Sequence, residues 1–218
     1  MPGVILAGIS GAGKTSTYQR LLAVLAQRQQ ETLFAVPQAM TTTAHLHLAH
    51  DPAAQAAAVL DWCTDVIGFV ERTLARAHRG GLTTHRRHWT PLLVAEGFVY
   101  DIPLHDFAID RARIRPLEHR LATLNIALVL LSVPDERVLE QCVHSTRATR
   151  GEGWARYLAA LGEDDEARAE YFRAAQRRLW HWAVHSPLPT LNIDTSQRQW
   201  DDYALAAANY VTALTGSA

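Results

Sequence analysis

Short apolar runs alternate along this chain with stretches whose apolar residues recur every three or four positions. The runs are Val4-Ile5-Leu6-Ala7, Leu33-Phe34-Ala35-Val36, Leu92-Leu93-Val94-Ala95, Ile126 to Leu131 and Leu191-Asn192-Ile193. The first is compatible with a buried parallel strand, and the other four, the last of them shorter, can pair with it. Tyr18, Leu21, Leu22 and Leu25 predict a helix that opens at about Lys14. A longer helix is predicted from Ala53 to Ala77, with Val59, Trp62, Cys63, Val66, Ile67, Val70 and Leu74 on one face. Val138, Leu139, Cys142 and Val143 mark another, and Asp164-Asp165-Glu166 supplies the acids that suit the start of a third. Trp200 to Leu214 reads as the last helix. Strands alternating with helices imply a three-layer α/β/α sandwich around a five-stranded parallel sheet. Ligands of such sheets bind at the carboxyl ends of the strands, so the residues just after each run carry the interest.

Composition narrows the class. A chain of 218 residues, 48% hydrophobic, suits one domain spanning 1–218. The formal net charge of −1 gives no basic surplus for a nucleic-acid polymer. Cys63 and Cys142 lack metal or redox spacing and fit apolar helical faces, as structural thiols in a reducing compartment do. No signal-like or membrane-spanning segment stands out, and a soluble cytoplasmic protein is expected.

The first strand end carries the strongest chemistry. Gly8-Ile9-Ser10-Gly11-Ala12-Gly13-Lys14-Thr15 is a complete G-x-x-x-x-G-K-[ST] phosphate-binding loop, continued by Ser16. Lys14 is the only lysine in a chain whose other 20 basic Lys/Arg side chains are arginines. Arginine presents a broad fork, whereas lysine delivers a compact charge on a flexible stem. Strand, glycine loop and helix lie in the order that brings backbone N–H groups and the positive helix end to an anion. Lys14 would reach the outer phosphates of ATP, and the Thr15 hydroxyl would hold Mg2+.

The other strand ends offer candidates. Glu96, followed by Gly97, could hold metal-bound water or take a proton from an acceptor hydroxyl, with the glycine leaving room for a ligand. Asp101 is a weaker second acid. The polar segment Gln38 to Thr43, with Gln38 and Thr42, suits hydrogen bonding to an acceptor, and so does Tyr100. His45, His47 and His50 read as a solvated loop rather than a zinc site, and His181 with His185 as a helix surface. The stretch 145–156, with Arg147 and Arg150 among glycines, has the makings of a lid that brings arginines over a transferring phosphoryl. Arg111 could bind an anionic acceptor group, and Pro116 should end or restart its helix.

Taken together, Gly8 to Thr15, the strand ending in Glu96-Gly97, the pair Arg147 and Arg150, and Leu191 to Ser196 resemble the P-loop small-molecule kinases, which act on nucleosides, nucleotides and other metabolites. The resemblance implies a P-loop NTPase fold, ATP and Mg2+ as cofactors, and a small-molecule acceptor bound at about residues 37–80. It also implies that Asp194, Thr195 and Ser196 help to line an adenine pocket. The chain departs from narrower families: Val36-Pro37-Gln38-Ala39 stands where nucleoside kinases often have an acid, and Glu96-Gly97 where they have an acid and an arginine. The Glu-Gly pair is similar to uridine kinases. The alternative is a nucleotide-dependent switch or ATPase without an acceptor. A GTPase of the Asn-Lys-x-Asp type is excluded, because the sole lysine is already in the loop. Trp62, Trp154, Trp180 and Trp182 could serve a core or a homodimer contact, the core being the better fit.

Overall fold

The computed structural model describes residues 3–216 apart from 29, 31 and 86–88. In chain order the elements are β1 (Gly3–Gly8), α1 (Lys14–Gln27), β2 (Leu33–Val36), α2 (Gln38–His45), α3 (Pro52–Arg79), α4 (Leu82–His85) and β3 (Leu92–Glu96). They continue with α5 (Asp101–Leu104), α6 (Arg111–Thr123), β4 (Ile126–Ser132), α7 (Asp135–Val138), α8 (Ser145–Thr149), α9 (Glu152–Ala160), α10 (Asp165–Ala183), β5 (Thr190–Asp194) and α11 (Trp200–Gly216).

Among the described residues, five strands form one parallel sheet in the order β2-β3-β1-β4-β5. Every residue of β1 and β3 is buried, which is why those runs carry no alternation. The pleat sends Ile5 and Ala7 into a core with α3 and α6, and Val4 and Leu6 into a second core with α1 and α11. The fold is a three-layer α/β/α sandwich, with β1 flanked by β3 and β4. The chain reverses its direction of winding beside β1, and the crevice this creates lies at the phosphate loop.

The helices start where the sequence supplies caps. Asp51 accepts from Ala53 and Ala54 N–H at the head of α3, and Asp164 accepts from Ala167 N–H at the head of α10. Among the described residues, α3 is the helix long and apolar enough to cross a membrane, yet its stripe of Val59, Cys63, Ile67, Val70 and Leu74 packs on the sheet. Three local expectations change. Gln38 to His45 is a helix, not a loop, and His45 is buried with Nδ1 3.1 Å from Gln55 Nε2. Pro116 neither ends nor restarts its helix but lies inside α6, which begins at Arg111 on an Asp110 cap. Between α7 and α8 the chain runs through a π-helix, Leu139–His144, rather than a uniform α-helix.

Candidate active site

The loop between β1 and α1 owes its shape to position-specific glycines. Gly13 caps α1 at φ 84°, and a Cβ there would lie 2.1 Å from the Trp200 ring of α11. Only glycine satisfies both the left-handed backbone and the aromatic ring behind it. No side chain caps α1, so its first-turn N–H groups remain free to meet an anion. The π-helix presses Gln141 and Cys142 against the loop, and Gln141 Nε2 donates to Gly11 O at 3.2 Å and to Thr195 Oγ1 at 3.3 Å. Nothing in the sequence singles out Gln141 beyond its being a polar residue beside the apolar helical positions.

Ile9, Ser10, Gly11, Gly13, Lys14, Thr15 and Ser16 line a cleft of about 340 Å³ together with Gln38 and Arg150. Lys14 is 5% exposed and donates to Gly8 O at 2.7 Å and Ile9 O at 3.3 Å. Burial pushes its ammonium down from the ordinary lysine range, opposed by the charges of Asp101 and Glu96. Thr15 Oγ1 donates to Glu96 Oε1 at 2.5 Å, so the loop hydroxyl and the acid at the end of β3 form one unit. Gly8 and Ala12 sit behind the cleft: Gly8 supplies the carbonyl held by Lys14, and Ala12 is buried in the core.

Asp101, a weaker candidate in the sequence, is brought to the centre. It is 2% exposed, and its Oδ1 accepts from Gln38 Nε2 at 3.0 Å. Burial pushes its carboxyl up to about 7, against the pull of the Lys14 ammonium. Gly97, at φ 71°, leaves room for this side chain rather than for a ligand, since a Cβ there would lie 2.2 Å from Asp101 Oδ1. Phe98 follows at φ 55°, a left-handed backbone that a bulky aromatic rarely adopts.

Other sequence candidates fall elsewhere. The Tyr100 hydroxyl lies 2.8 Å from Ser186 Oγ and 3.4 Å from Glu118 Oε1, in the core and away from the cleft. Arg111 donates to Trp182 O at 3.3 Å and faces the buried Glu118 at 3.9 Å, so it neutralises a core acid rather than meeting an acceptor. Arg147 is exposed and gives a two-pronged pair to Asp165, which also takes Arg168, and these two guanidiniums hold the Asp165 carboxyl well below its usual range. Arg150 parts from it because the backbone turns extended there, ending α8, and its guanidinium stacks 4.2 Å over the Trp154 ring at the cleft. Trp154 Nε1 in turn donates to Thr146 Oγ1 at 2.9 Å, joining α9 to α8. The segment 145–156 is thus two helices broken at Arg150-Gly151 rather than a loop. Thr42 is half-buried on α2 and outside the cleft wall, while its neighbour Thr41 accepts from Trp62 Nε1. Thr195 is buried with its hydroxyl on Ser132 O, and Asp194 accepts from Ser196 N–H, so none of the three lines the cleft. A larger apolar groove of about 590 Å³ lies along β2 and α3, lined by Phe34, Met40, Trp62 and Phe69, with none of the phosphate-binding groups.

No family model and no curated protein matches the chain. Among solved structures it is similar to shikimate kinase from Acinetobacter baumannii in complex with shikimate, at 18% identity, a TM-score of 0.44, and coverage of 98% of this chain and 94% of that one.

Proposed function

We propose that the protein is an ATP-dependent phosphotransferase that moves the γ-phosphoryl group to a small-molecule acceptor. The observation that carries this reading is the Thr15–Glu96 unit beside buried Lys14 at an uncapped helix start. That donor set fits a magnesium–triphosphate: main-chain N–H groups and one ammonium for phosphate oxygens, a hydroxyl and a carboxylate for a hard cation. Magnesium, when bound, would draw charge from the phosphate oxygens. Thr15 Oγ1 and Glu96 would hold it directly or through water, which puts Glu96 on the metal side of the reaction.

The chain's own groups then divide the work. The Lys14 ammonium would exchange its two carbonyl partners for phosphate oxygens as the triphosphate enters. Loop N–H groups would hold and orient the phosphates. Arg150, already stacked on Trp154, would oppose the charge spread over the transferring group. Gln38, also on the cleft lining, would face the acceptor. Transfer forms a bond from the acceptor oxygen to phosphorus and breaks the bond to the bridging oxygen of ADP, with the hydroxyl proton released.

Calorimetry with Mg·ATP, followed by a coupled ADP assay over nucleosides, nucleotides, sugars and aminoglycosides, tests the reading. Nucleotide uptake and ADP that forms only with an added acceptor are expected. Absence of nucleotide uptake by folded protein, or phosphate release indifferent to every acceptor, overturns it.

A further inference from the structure

Gln38 is the cleft-lining residue that touches both buried acids. Its backbone N–H points to Glu96 Oε2 at 3.4 Å, and its side-chain nitrogen donates to Asp101 Oδ1 at 3.0 Å. An ionised carboxylate accepts and cannot donate, so in that form Asp101 fixes which end of the neighbouring amide faces it. With the nitrogen held by Asp101, the carbonyl oxygen Oε1 is the end left for the cleft. A carbonyl oxygen there welcomes a hydroxyl proton and repels a phosphate or carboxylate oxygen.

The charges around it point the same way. Lys14 and Arg150 are the cations that line the cleft, and both are committed to the donor in the reading above. Arg111 is held by Trp182 and Glu118, Arg147 by Asp165, and Arg178 by Pro103 O with Asp106 at 3.7 Å. The groups facing Asp101 are Lys14 of the loop, Glu96 of β3, Gln38 of α2 and Cys63 of α3. Burial pushes His105 down to about 4 and lowers His45 as well, so neither supplies a positive charge near neutrality. Gly97 keeps open the space that the Asp101 carboxylate fills.

We propose, resting on the phosphotransferase reading, that Asp101 is a positioning residue. By holding the Gln38 amide nitrogen it turns Gln38 Oε1 toward the acceptor hydroxyl, and the pair selects uncharged hydroxyl compounds over phosphorylated ones. The test compares uridine with uridine monophosphate and glucose with glucose 6-phosphate, using wild type, Asp101→Leu and Asp101→Asn. Asp101→Leu removes the acceptor of the amide hydrogen bond, whereas Asp101→Asn keeps an oxygen there. In the pair that reacts, the unphosphorylated compound is expected to show at least about 10-fold higher kcat/KM. Asp101→Leu is expected to raise its KM roughly 10- to 100-fold and Asp101→Asn to restore most of it. Calorimetric Mg·ATP binding by both variants shows that they fold. In 15N-labelled protein without nucleotide, the Gln38 side-chain amide signals should shift in Asp101→Leu and stay close to wild type in Asp101→Asn.

Preference for the phosphorylated member overturns the assignment. So does an unmoved Gln38 amide in Asp101→Leu, or turnover of none of the four compounds by protein that binds Mg·ATP. Loss of kcat with unchanged KM in Asp101→Asn also overturns it, since that pattern belongs to a proton acceptor. Failure to bind Mg·ATP at all is distinct and strikes the phosphotransferase reading itself.

Discussion

At the scale of single residues, the site is held by groups that burial makes costly. The Asp101 carboxyl sits at about 7 when folded, against an ordinary value of 3.8. The folded state therefore binds this proton more tightly than the unfolded chain does. The resulting stability is full below about 4 and is lost as pH rises through about 7, a penalty of roughly 4 kcal/mol at most. Asp101→Asn escapes the penalty, although Lys14 then loses an opposing charge. Thermal melts should show the variant gaining on wild type at pH 8, with the gain shrinking toward pH 5. A constant difference across that range would assign the effect to packing. Lys14→Ala is expected to leave the fold intact and to cut phosphoryl transfer by at least about 100-fold, read as single-turnover ADP formation. At Gly13, alanine meets both a left-handed backbone and the Trp200 ring. Gly13→Ala should destabilise by roughly 1–3 kcal/mol in urea titrations. Adding Trp200→Ala should relieve only the steric part.

At the scale of elements, α3 shows what the sequence pattern measures. Its apolar positions repeat at helical spacing, and that stripe is the face buried against the sheet. Ile67, fully buried in its middle, should cost roughly 2–5 kcal/mol when cut to alanine, with nucleotide affinity unchanged. The segment from Asp135 to Ala160 shows what the pattern misses. Its apolar positions announce a helix, but the π turn that brings Gln141 and Cys142 onto the loop depends on contacts made 130 residues away in sequence. The break at Arg150 is equally silent, because two arginines three positions apart look alike until the backbone turns between them. Arg150→Ala should weaken turnover far more than Arg147→Ala, whose guanidinium is spent on Asp165. Equal losses in steady-state kcat/KM would mean that 145–156 rearranges before transfer.

For the whole molecule, the local pattern determined a great deal. The central strands β1, β3 and β4 are apolar runs because a parallel sheet covered by helices buries both their faces, whereas the edge strands β2 and β5 stay partly exposed and β5 carries polar residues. The glycine loop was equally legible as a motif, since its glycines and its single lysine lie within eight consecutive positions. The acids at the end of β3 were visible as acids, but their division of labour was not. Only the packing of β3 between β1 and β2 brings Glu96 onto Thr15 and lets Asp101 reach Gln38, 63 positions apart in the chain. Tyr100 and Arg111, by contrast, both face the buried Glu118 of α6, one from the segment after β3 and the other from the same helix. Short-range chemistry is encoded by neighbours in sequence, whereas charge partnership depends on distance in space. Burial and pairing are therefore what the tertiary structure decided.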